Sequence, residues 1–176
     1  RIRKGGAWAR LWAGDDPNDL KNCISSYVRD GKHNRLFCPM VVAVGYAVTT
    51  ELETLLDYGG DPNSRPELQS WPLSLAAQLG NANAVQVLLR HGADPNRTDE
   101  LGWSSLFVAI HFIASTSDLS IVRALLEHGA DPLFAFTSAE CPLRAALASG
   151  RPELIELVLR AVPAGRLPSE AELIAM

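Results

Sequence analysis

Residues 71–96 read WPLSLAAQLGNANAVQVLLRHGADPN. Pro72 suits the first turn of a helix, where a missing N–H costs nothing. The run Leu73 to Leu79 is short and rich in Ala and Leu, and Gly80 breaks it. A second helix follows, with Val85, Leu88 and Leu89 at helical spacing on one face. Gly92 ends it, where a positive φ is needed. Asp94-Pro95 then opens an extended turn. Such a hairpin of two short helices cannot bury its apolar faces alone.

The same text recurs along the chain. Leucine pairs stand at Leu55-Leu56, Leu88-Leu89 and Leu125-Leu126, with Val158-Leu159 as a fourth copy. Each leucine pair is followed by Gly59-Gly60, Gly92-Ala93 or Gly129-Ala130, and then by Asp61-Pro62, Asp94-Pro95 or Asp131-Pro132. A second landmark keeps the same beat: CPMVVAV from Cys38, WPLSLAA from Trp71, SSLFVAI from Ser104 and CPLRAAL from Cys141, in steps of 33, 33 and 37. The surplus of four residues therefore lies inside the third copy, around Phe112–Asp118. It lengthens the first helix or adds a polar loop. Of the residues before each first helix, only Ser104 offers a good capping oxygen. Copies that cannot bury their faces singly are expected to stack side by side into an all-α solenoid.

These residues resemble the ankyrin repeat, a 33-residue turn–helix–helix unit with a T-P-L-H-x-A opening. The opening stands here as Trp71-Pro72-Leu73-Ser74-Leu75-Ala76, and the closing G-A-D-P-N is intact at Gly92–Asn96. The usual Thr is replaced by Cys38, Trp71, Ser104 and Cys141, and the usual His by Val41, Ser74, Phe107 and Arg144. The hydroxyl–imidazole bond of the family is therefore absent. The resemblance implies repeats at 38–70, 71–103, 104–140 and 141–162, joined by extended, β-hairpin-like turns. Residues 1–37 read as a degenerate N-terminal capping repeat, with Trp8, Leu11 and Trp12 on one helical face. Residues 163–176 read as a C-terminal cap helix, because Ser169 and Glu172 fit a capping box.

Composition bounds the function. The chain has 176 residues and a formal charge of −4, unevenly spread. Residues 1–37 hold eight basic and four acidic side chains, net +4; residues 38–176 hold eight Arg and sixteen acids, net −8. An acidic body argues against nucleic-acid binding, which needs a basic footprint. Arg1, Arg3 and Lys4 are too few to make the N-terminal segment a membrane or nucleic-acid anchor. Cys23, Cys38 and Cys141 are far apart and share no ligand spacing with histidine, which predicts buried small side chains and an intracellular, cytoplasmic compartment. No apolar run is long enough for a membrane span.

The usual catalytic and phosphate-binding motifs are missing, and the four histidines do not cluster. The repeated carboxylates Asp61, Asp94 and Asp131 occupy turns. The sequence thus predicts no enzyme, no metal and no cofactor. The ankyrin resemblance implies a protein-binding scaffold or adaptor, monomeric on its own, whose partner lies on the concave face of turn tips and first-helix ends. Carried copy by copy, the contact residues are Arg35, Phe37 and Tyr46; Glu67, Leu68, Gln78 and Leu79; Glu100, Leu101, Trp103, His111 and Phe112; and Ser138 and Glu140. Trp71, by contrast, is expected to pack between neighbouring repeats. Two alternatives remain at this level: an inhibitor or immunity protein that blocks a basic surface of a toxin or enzyme, or an ankyrin targeting fragment of a larger multidomain enzyme.

Overall fold

The computed structural model describes residues 44, 49–64, 71–113, 118–135, 141–166 and 168. These form seven α-helices: α1 (Thr49–Asp57), α2 (Pro72–Gln78), α3 (Ala82–Arg90), α4 (Ser105–Ile113), α5 (Ser120–Glu127), α6 (Pro142–Ala148) and α7 (Pro152–Arg160). A 3-10 turn follows at Ala164–Arg166. Each of α2–α3, α4–α5 and α6–α7 is an antiparallel hairpin. First helices α2, α4 and α6 stack in one row, and second helices α1, α3 and α5 in another. The all-α solenoid expected from the period is the observed architecture.

The interior is aliphatic. Leu52, Val85, Leu88, Leu106, Ile110, Leu125, Leu143, Leu154 and Val158 are almost fully buried. Each such side chain contributes about 1.5–3 kcal/mol by leaving water. Alanines such as Ala76, Ala77, Ala109 and Ala146 let neighbouring helices approach closely. Cys141 is buried, as its apolar neighbours implied; Cys23 and Cys38 lie outside the described residues.

Helix ends follow the sequence chemistry. Pro72 and Pro142 occupy first turns, and Trp71 and Cys141 before them make no side-chain cap. Ser104 Oγ accepts from the N–H of Phe107 at 3.3 Å, as expected of the one good capper. Asn81 caps α3 by accepting from the N–H of Ala84 at 3.1 Å. Gly92 has φ +84°, and the N–H groups of Gly92 and Ala93 return to the carbonyls of Leu89 and Leu88 at 3.0 and 2.9 Å. That closure satisfies carbonyls the helix leaves open, and it requires a residue free to take positive φ.

The Asp-Pro turns are held from within and from next door. Asp61, Asp94 and Asp131 each accept, through Oδ1, the N–H two residues on, at 2.8–2.9 Å. In the first two turns the asparagine after the proline reaches the next copy. Asn63 Nδ2 donates to Gly92 O at 3.0 Å and its Oδ1 accepts from the N–H of Asp94 at 2.8 Å. Asn96 repeats this on Gly129 O (2.9 Å) and the N–H of Asp131 (2.8 Å). A column of side-chain amides thus ties turn to turn.

Part of the surplus in the third copy is helical: α4 has nine residues where α2 and α6 have seven. Residues 114–117, the N-terminal unit 1–37 and most of the C-terminal cap segment lie outside the described residues.

Candidate functional site

Among the described residues, 98–104 form an extended finger. Thr98 and Ser104 face each other in an antiparallel bridge. The N–H of Asp99 donates to Trp103 O at 3.2 Å, and the N–H of Gly102 to Asp99 O at 3.1 Å. Asp99 Oδ1 accepts from the N–H groups of both Leu101 and Trp103 at 2.9 Å. One carboxylate therefore sets the whole tip. Glu100 and Leu101 occupy that tip, and Leu101 is 66% exposed.

Trp71, at the opening of the same repeat, braces the finger. Its Nε1–H donates to Thr98 O at 2.7 Å, and the Arg97 guanidinium lies 4.8 Å from its ring centroid. Both of these contacts fall within repeat 71–103 rather than between neighbouring units.

At the base of the finger Trp103 meets three rings of α4. Centroid distances are 5.2 Å to Phe107, 5.7 Å to His111 and 6.5 Å to Phe112. Phe107 and His111, one helical turn apart, stack at 15° and 5.8 Å. His111 and Phe112 meet edge-on at 5.1 Å. The cluster grades outward: Phe107 is buried, Trp103 half-buried, and His111 and Phe112 exposed. Leu79, in Phe112's register at the end of neighbouring α2, is 53% exposed, and Gln78 beside it is exposed too. Three of the four large hydrophobic side chains most exposed among the described residues, Leu79, Leu101 and Phe112, thus belong to this one face; Tyr58 is the other.

The structure therefore brings Trp103, His111 and Phe112 into contact, places Leu101 and Glu100 on the same finger, and sets Gln78 and Leu79 at the equivalent helix end next door. Arg35, Phe37, Tyr46, Glu67, Leu68, Ser138 and Glu140 lie outside the described residues. Phe107, which the sequence marks only as standing where the family has His, proves to be the buried floor of the ring cluster. Its i, i+4 spacing from His111 was the available signal.

Several other polar groups have structural partners. His128 Nδ1 lies 2.8 Å from Ala124 O, so that nitrogen carries the proton. His91 stands 3.7 Å from Asp57, and Arg90 pairs with Glu53 at 2.8 Å. Asp118 accepts the N–H of Ser120 at 2.8 Å, and that backbone bond lowers its pKa. Among the described residues no group of three or more His, Cys, Asp or Glu side chains could hold a metal ion. No described helix is long and apolar enough to cross a membrane.

The family model for ankyrin repeats in three copies matches residues 40–135 and again 73–165. The chain belongs to the ankyrin-repeat family. Proteins of this family are generally protein–protein interaction modules and typically not enzymes. A search of curated proteins returned no match.

Proposed function

We propose that this chain is a non-enzymatic adaptor that binds another protein through the face formed by the 98–104 finger and the ends of the first helices. The observation that carries the reading is the Trp103–Phe107–His111–Phe112 cluster flanked by exposed Leu101 and Leu79. A contiguous exposed apolar patch marks a binding site. Aromatic anchors on a rigid support concentrate binding energy, because few rotamers are lost when they are covered. The reading also takes in, by their register in the repeats alone, the remaining expected contacts Arg35, Phe37, Tyr46, Glu67, Leu68, Ser138 and Glu140. The reading includes a chain that is monomeric alone and works inside the cell.

The test is capture on the immobilised chain, identification of the captured protein, and calorimetric titration of the pair. Trp103→Ala should cost about 2 kcal/mol or more of binding energy. An unchanged affinity refutes the site. The −8 charge of residues 38–176 favours a narrower second reading, an inhibitor of a basic toxin or enzyme. For that version the association rate should fall steeply with added salt.

A further inference from the structure

The ring cluster holds one group whose charge can change. The sequences of α2 and α4 contain no Asp, Glu, Lys or Arg, and His111 is the only histidine in either. Its imidazole stacks on Phe107 at 15° and 5.8 Å, lies 5.7 Å from Trp103 and meets Phe112 edge-on at 5.1 Å. Phe107 is buried and Trp103 half-buried, so these contacts seat an exposed imidazole on a firm base. A partner that covers Phe112 covers His111 as well.

The charged groups around it belong to the neighbouring elements. The finger and its approach bring Arg97, Asp99 and Glu100, α5 brings Arg123 and Glu127, and α6 brings Arg144 in the register of Phe107. Asp99 Oδ1 is taken by the N–H groups of Leu101 and Trp103, Arg97 lies over Trp71, and Asp118 beyond α4 accepts the Ser120 N–H. The exposed Phe112, Leu79 and Leu101 of this face are apolar. An apolar anchor laid on them strips water from the imidazole. The neutral ring loses little, whereas the imidazolium loses hydration that such an anchor does not replace. The ring faces attract the cation with or without a partner, so they do not make up that loss.

Resting on the reading of this face as the docking surface, we propose that its occupant is an uncharged, apolar segment of a partner protein and that His111 gates it. The neutral imidazole admits the segment and the imidazolium expels it. Binding is then strong above the range in which histidine ordinarily titrates and is lost as pH falls through that range.

A random peptide library displayed on phage and selected on the full chain at about pH 7.5 supplies the probe, and the selected peptides are titrated calorimetrically at about pH 7.5 and 5.5. Peptides that lose affinity for Trp103→Ala sit on this face. They should carry apolar anchors, hold their affinity in about 1 M salt, and bind about three- to tenfold more weakly at the lower pH. His111→Gln should flatten that difference, whereas His91→Gln, beside Asp57 on the row of second helices, should keep it. If no selected peptide depends on Trp103, the face and the gate fall together. Trp103-dependent peptides that carry acidic anchors, bind equally at both pH values, tighten on acidification, or keep their pH dependence in His111→Gln overturn the gate and leave the face standing.

Discussion

Asn96→Ala probes the column of amides that joins one turn to the next. The substitution removes two hydrogen bonds, Nδ2 to Gly129 O at 2.9 Å and the N–H of Asp131 to Oδ1 at 2.8 Å. Each contributes about 0.5–1.5 kcal/mol net. Gly129 is exposed and Asp131 half-buried, so water reaches both freed groups and the full penalty of an orphaned buried group does not apply. The bond from the N–H of Asn96 to Asp94 survives, so the turn itself stays closed. The expected loss is therefore about 1–2 kcal/mol. For a chain of this length that lowers Tm by about 2–8 °C. Urea unfolding followed by circular dichroism should show a lower midpoint with unchanged slope. Asn83→Ala, on the exposed face of α3, is the control and should be neutral or slightly stabilising. If Asn96→Ala stays within about 0.5 kcal/mol of the parent, the scatter of an ordinary surface substitution, the column does not hold the turns together.

Three further substitutions check other parts of the structure. Trp71→Phe keeps a ring beneath Arg97 but loses the bond to Thr98 O, and should cost about 1 kcal/mol in urea unfolding. Asp99→Ala removes the acceptor of two backbone N–H groups; amide exchange at Leu101 and Trp103 should rise about tenfold, the equivalent of about 1.4 kcal/mol, while α3 is unaffected. Asp118 has a lowered pKa because the Ser120 N–H bond favours its charged form. The stability it supplies is present above the unfolded value of 3.8 and is lost as pH falls through the lower folded value. Asp118→Asn should therefore unfold with a weaker acid dependence below that pH, and an identical dependence would remove the assignment.

What was legible in the sequence is what the stack repeats. Leucine pairs, helix-ending glycines and Asp-Pro turns recur because every unit faces the same packing problem, and repetition made their role readable without coordinates. Proline in the first turn and serine at Ser104 were readable for the same local reason. The clamp by Asn63 and Asn96 was not. Its partners stand 29–35 residues away, and the residue type alone fits a turn equally well. The finger's dependence on Asp99 was hidden too, because one carboxylate accepting two backbone donors leaves no periodic trace.

The candidate face was legible through the opposite signal, namely departure from the repeat. At the register of Phe112 the other copies carry Tyr46, Leu79 and Ser149, and at that of His111 they carry Gly45, Gln78 and Ala148. A position that accepts serine, alanine or glutamine in one unit imposes no packing demand on the fold. An exposed phenylalanine or leucine there gains nothing from the interior and loses solvation at the surface. Trp103 differs in degree, since its ring is half-buried on Phe107 and gains stability by that contact. Phe112 meets Trp103 and His111 at the outer edge of that cluster, while Leu101 and Leu79 are the most exposed of the set. The physical asymmetry between positions the stack needs and positions it leaves free is thus the basis for assigning the second set to a partner.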